Sequence, residues 1–161
     1  MIERGVVDST IEIGGELSEA AIFDLLAAAE EDRAVLRGRQ IEYDDEDLRR
    51  AVAGGSPLRF ARAGAASEEF VELEEFCRGQ RLTFRRFGDG GATGEPGVVY
   101  SAPDRGEAAR APADARGRVY LTLAELEAAA ERGLDLAAVV AELRERSGSV
   151  PPLVIRPVEP S

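Results

Sequence analysis

Residues 6–13, VVDSTIEI, alternate Val7, Ser9, Ile11 and Ile13 with Asp8, Thr10 and Glu12, the two-residue period of a half-buried strand. Gly14-Gly15 punctuates it. Ser18 then caps a helix over about 19–31, in which Ile22, Phe23, Leu25, Leu26 and Ala29 make a broad apolar face. A weaker strand over 34–43 contains Gly38, the mark of a bulge or an edge. In EYDDEDLRRA (42–51) five acids precede two arginines. Asp44 or Asp45 is a good N-cap there, and acids in a first turn are favoured by the helix dipole. Asp45–Arg49 and Glu46–Arg50 are i,i+4 pairs with the acid N-terminal, the better orientation. Leu48 and Val52 share a face, and Gly54-Gly55 stops the helix.

PLRFAR (57–62) is the next strand. Ser67 is expected to cap SEEFVELEEFC, with Phe70, Leu73 and Cys77 on one stripe and Glu68, Glu72 and Glu75 outside it. After Gly79, RLTFRRF (81–87) sets Leu82 and Phe84 against Arg81, Thr83 and Arg85. Residues 18–26 and 67–73 read as two faint copies of one cap–helix unit. Strand, helix, strand, given twice, is the order of the ferredoxin-like split βαβ, with the helix at 45–53 inserted between the second and third strands. Residues 88–97 are a loop, and 98–100 is expected to pair with 118–122 as a hairpin around a low-complexity, mobile segment at 103–117. Thr122 and Glu125 make a capping box for a helix over 123–132. Gly133 turns the chain into a helix over 136–146, and 151–157 is a short edge strand between prolines.

The expected fold is α+β in a single domain over 1–161. Residues 1–87 form a ferredoxin-like sheet with helices on one face, and 88–117 are loop-rich. Residues 118–157 supply a hairpin strand, a helical hairpin and an edge strand.

Composition narrows the function. No apolar run approaches the roughly 20 residues of a membrane span, and the N-terminus shows no secretory signal. One cysteine, Cys77, excludes an intramolecular disulfide and fits a reducing cytoplasm. All 20 basic residues are arginine, which reads as the codon bias of a GC-rich bacterial genome rather than as thermostability. Residues 1–75 carry 19 acids and 8 arginines, and residues 76–161 carry 12 of each, so the net charge of −11 lies in the first half. That surface repels nucleic acid and anionic membrane.

Candidate chemistry is sparse. Without histidine there is no Ser-His-Asp or Cys-His mechanism and little zinc chemistry, and Cys77 reads as a buried small hydrophobe. The acidic stretch lacks the ligand alternation and central glycine of a calcium loop. Ala129, Gly133 and Val139 have helix-turn-helix spacing, but the second helix offers no cation before Arg144. Arg85 and Arg86 beside the glycines of FGDGG are a candidate anion cradle, yet no phosphate-loop spacing is present. Glu72 with Glu75, or Glu127 with Glu131, read as exposed helix carboxylates.

The stretch EFVELEEFCRGQRLTFRRFGDG (69–90) resembles a segment of small uncharacterised bacterial proteins, often encoded near mobile elements. The resemblance carries no catalytic motif and implies no activity.

The leading expectation is therefore a non-enzymatic, acidic, cytoplasmic protein acting on a basic protein partner, as an immunity or inhibitor protein would, without a cofactor or metal. Glu42, Asp44, Asp45, Glu46 and Asp47 are its candidate contact residues. The alternatives are a small-molecule-binding module using the sheet face or the 85–91 loop, and a carboxylate metal-dependent hydrolase.

Overall fold

Ile11 and Ile13 lie at the middle of the longest strand, and a mainly antiparallel sheet is assembled around them. The computed structural model describes residues 8–36, 43–63, 69–89 and 96–159. Strand β1 (Asp8–Ser18) is followed by α1 (Ile22–Glu31), β2 (Val35–Leu36), α2 (Asp45–Val52) and β3 (Leu58–Ala63). Then come α3 (Val71–Gly79), β4 (Thr83–Gly88), β5 (Gly97–Ser101) and β6 (Ala109–Pro112). Helices α4 (Leu123–Glu131) and α5 (Leu136–Ser147) precede β7 (Leu153–Arg156). The sheet order is β2-β3-β1-β4-β5-β6, with β7 parallel to the second half of β1.

Register decides what each face carries. Ile11 lies opposite Phe60 and Arg86, and Ile13 opposite Leu58 and Phe84. This face meets α1 and α3, and Leu25, Phe70 and Leu73 complete a core with no exposed surface. Each such side chain contributes about 2 kcal/mol by leaving water. On the other face Arg59, Glu12 and Arg85 form a row across β3, β1 and β4.

Gly14-Gly15 does not end β1, as expected from composition; it moves the strand from one set of partners to another. Gly14 is the last residue paired with β4, and Gly15 begins the pairing with β7. A Cβ on Gly14 would lie 1.8 Å from the Pro151 carbonyl oxygen, so only glycine admits that approach.

Three helix starts follow local chemistry. Ser18 Oγ accepts from Ala20 N–H at 3.3 Å and opens a 3-10 turn, Glu19–Ala21, that leads into α1. Thr122 caps α4 through Glu125 N–H, and Asp135 caps α5 through Ala138 N–H. Helix α3 differs. The expected cap Ser67 lies outside the described residues, and the Asp32 carboxylate, from the end of α1, accepts the N–H groups of Glu72 and Leu73.

Other expectations are corrected. Of the 34–43 stretch, residues 37–42 lie outside the described residues, and among the described ones the strand covers Val35–Leu36. Residues 98–100 pair with β6, inside the segment read as mobile, and 118–122 supply only the isolated bridge Ala113–Val119. The cause is size. Ala111 and Ala113 are buried, and their alternation with Arg110 and Pro112 is a strand period written in alanine. The α4–α5 hairpin, to which the sequence assigns no face, lies on the side of the sheet away from α1 and α3. Arg85 and Tyr100 share the opposite face, where Arg85 Nε donates to the Ser147 carbonyl at 3.0 Å at the end of α5. No helix among the described residues is long and apolar enough to cross a membrane.

Candidate functional site

Asp44 and Asp47, at the start of α2, border a groove of about 800 Å³ between α1, β2 and α2. Its apolar wall is Phe23, Leu26 and Ala27, and its rim carries Glu30, Arg33, Asp44 and Asp47. Phe23 is 73% exposed, because Ile22, Leu25 and Ala29 use the side of α1 that faces the core. Tyr43 closes the floor: its hydroxyl donates to the Ala34 carbonyl at 2.8 Å, and its ring packs 6.0 Å from that of Phe60. Burial raises the Tyr43 pKa, and the charge of Glu30 adds to the rise.

Each candidate acid has a place. Glu42 lies outside the described residues. Asp44 accepts from Asp47 N–H at 2.9 Å and Asp47 accepts from Asp44 N–H at 3.3 Å, a complete capping box. The Asp47 N–H is the main reason the Asp44 carboxyl is held below its ordinary pKa. Asp45 pairs with Arg49 at 3.8 Å, and Arg49 also reaches Glu19 at 2.7 Å. Glu46 pairs with Arg50 at 3.2 Å. These are exposed pairs, each worth at most about 1 kcal/mol. The first turn thus splits: Asp44 and Asp47 border the groove, while Asp45 and Glu46 are not among its described lining.

The other sequence candidates are engaged elsewhere. Arg85 donates to Glu12, to Ser147 and to the Gly117 carbonyl, and its guanidinium lies over Phe87. Arg86 is buried against Glu74, with Nε 3.1 Å from Oε2 in an ion pair off the hydrogen-bond axis. Neither is free to cradle an anion, and Gly90 and Gly91 lie outside the described residues. Glu72 and Glu75 are exposed, and no three Asp, Glu, His or Cys residues are arranged to hold a metal among the described residues. Cys77 is buried on the core side of α3, where burial pushes its thiol pKa strongly up and away from nucleophilic use.

Sequence reasoning missed the groove, although a signal was present. Ile22, Phe23, Leu25, Leu26 and Ala29 span too wide an arc of α1 for one buried stripe, and the excess falls on Phe23 and Leu26. No protein-family model, curated protein or solved structure matches the chain, and the resemblance noted for residues 69–90 stands on those residues alone.

Proposed function

We propose that this chain is a non-enzymatic, acidic binding protein of the cytoplasm, which takes a basic segment of a protein partner in the groove between α1 and α2, in the manner of an immunity or inhibitor protein. The observation that carries the reading is Phe23, a large aromatic side chain left 73% exposed on the wall of a groove rimmed by Glu30, Asp44 and Asp47. An apolar anchor inside a charged rim is the anatomy of a binding hot spot. The occupant is cationic by charge complementarity: among the described lining three rim carboxylates face one guanidinium, in the half of the chain that holds the whole net charge of −11.

The scaffold is, in this reading, a ferredoxin-like split βαβ unit with an added hairpin and three further strands. Two features support it. The first four strands lie in the order β2-β3-β1-β4. Helices α1 and α3 also end in the same turn, with Arg33 and Arg81 at φ 55° and 56° and matching backbone bonds from the following residues.

The test is fluorescence anisotropy with labelled arginine-rich peptides that each carry one Leu or Trp, across a salt series. Wild type is expected to bind with affinity that falls as salt rises, and Phe23→Ser to bind about tenfold more weakly with its fold unchanged. Equal binding by Phe23→Ser, or no binding of any such peptide, overturns the reading.

A further inference from the structure

A second cleft, of about 200 Å³, opens between the last turn of α3 and the loop after β5. Arg78, Arg81 and Arg105 line it beside Ser101 and Gly106, and no carboxylate does so among its described lining. That is the reverse of the chain's overall charge of −11. The three cations are unequally satisfied. Arg105 is held by Glu145 at 3.4 Å and lies over the Tyr100 ring. The carboxylate of Glu74 lies 3.8 Å from Arg78 but 3.1 Å from Arg86, so it is shared and favours the other partner. Arg81 makes no side-chain hydrogen bond or ion pair among the described residues.

The backbone adds an independent mark. Arg81 sits at φ 56°, in the left-handed position that closes a helix and is normally glycine. Helix α4 ends in the same turn and does use glycine, Gly133 at φ 74°. Arg81 thus sets a guanidinium beside the cleft from a backbone position that disfavours any side chain, as Arg33 does at the end of α1.

We infer that this cleft binds a compact oxyanion, the phosphate dianion, through the guanidinium groups of Arg78 and Arg81. The planar guanidinium fork matches phosphate oxygens two at a time, which a point charge does not. The cleft is smaller than the roughly 300 Å³ at which pockets for drug-sized ligands begin, so the ligand is inorganic phosphate or a small phosphate monoester. Leu82, Pro103 and Ala108 supply an apolar wall for the carbon part of a monoester.

The experiment is calorimetric titration of the full chain with inorganic phosphate and, in parallel, glycerol 3-phosphate, at constant ionic strength set with chloride. Saturable one-to-one binding of phosphate is expected in the millimolar range or tighter. Arg81→Gly removes the guanidinium while relaxing the left-handed backbone, so it folds at least as well as wild type and is expected to bind about tenfold more weakly. Arg78→Gln is expected to weaken binding to a similar degree, and Phe23→Ser to leave it unchanged. Tighter binding of the monoester assigns its carbon part to the apolar wall, and equal binding makes the ion itself the ligand. Absence of saturable binding by either compound, or full affinity in Arg81→Gly, overturns the inference.

Discussion

The carboxylate of Asp32 accepts the backbone N–H of Leu73 at 2.8 Å, joining the end of α1 to the start of α3 across 41 residues of chain. It takes the Glu72 N–H as well, at 3.2 Å, and is itself buried. Helix α3 has no side-chain cap of its own at Phe70, so two of its first N–H groups depend on this one residue. The same contact fixes how the two core helices lie against each other. Asp32→Ala is expected to cost about 2 kcal/mol, at the upper end for a cap because the stranded donors are partly buried. Asp32→Asn, which keeps one acceptor oxygen, should cost less. A urea midpoint unchanged in Asp32→Ala would show that α3 is capped by another group.

Glu74 and Arg86 form the ion pair beneath α3, with side chains only 6% and 7% exposed. Glu74 also accepts the Phe70 N–H at 2.8 Å. Arg86→Met strands the buried carboxylate and is expected to cost about 3 kcal/mol. Glu74→Gln combined with Arg86→Met removes both charges and keeps an acceptor for Phe70, so most of that loss should return. A double variant no more stable than Arg86→Met alone would place the cost in packing rather than in the stranded charge.

Much of the fold was legible because its signals are local. The alternation at 57–62 and 81–87 gave β3 and β4, and the stripe of Phe70, Leu73 and Cys77 gave α3 and its buried face. What was hidden depends on partners distant in sequence. The α3 cap comes from Asp32, the chain entering β7 closes in on β1 at Gly14, and Arg85 is consumed by Ser147 and Gly117. Strand β6 escaped because alanines carry its period. The capping chemistry of the Asp44 stretch was visible, but the groove beside it needed α1 and α2 brought together.

Gly14→Ala tests the close approach of β7. The added methyl would meet the Pro151 carbonyl, a backbone group that has no rotamer to yield. The expected loss is about 3 kcal/mol, at the upper end for overpacking. Amide exchange at Leu153–Arg156 should accelerate more than exchange in β3 or β4. Uniform acceleration across the sheet would mean that β7 is not a separately released strand.

Cys77 should report opening of the core rather than any chemistry. Its thiol is buried with Leu73 and Phe70, and burial raises its pKa. Reaction with a thiol reagent is expected to be slow in the native protein and rapid in denaturant, and Cys77→Ala to cost about 1 kcal/mol. Rapid labelling of the native protein would contradict this packing.

The α2 acids separate capping from recruitment. Asp44 has its pKa lowered, first by the Asp47 N–H, so it binds a proton less readily folded than unfolded. A depressed folded pKa contributes stability above the ordinary aspartate value, about 4, and loses it as pH falls through the lowered one. Amide protection in α2 should therefore drop in acid below about pH 4, and Asp44→Asn, which still caps, should flatten that drop. Asp45 and Glu46 are free of the capping box and sit in exposed pairs with Arg49 and Arg50. Asp45→Asn with Glu46→Gln should leave the fold nearly unchanged. If the first half of the chain draws a basic partner to the groove, the same pair of changes slows association and weakens its salt dependence, while dissociation holds, because charges beside a site rather than in it act on the encounter. An association rate equal to wild type across the salt series would leave these two acids with no role beyond their arginines.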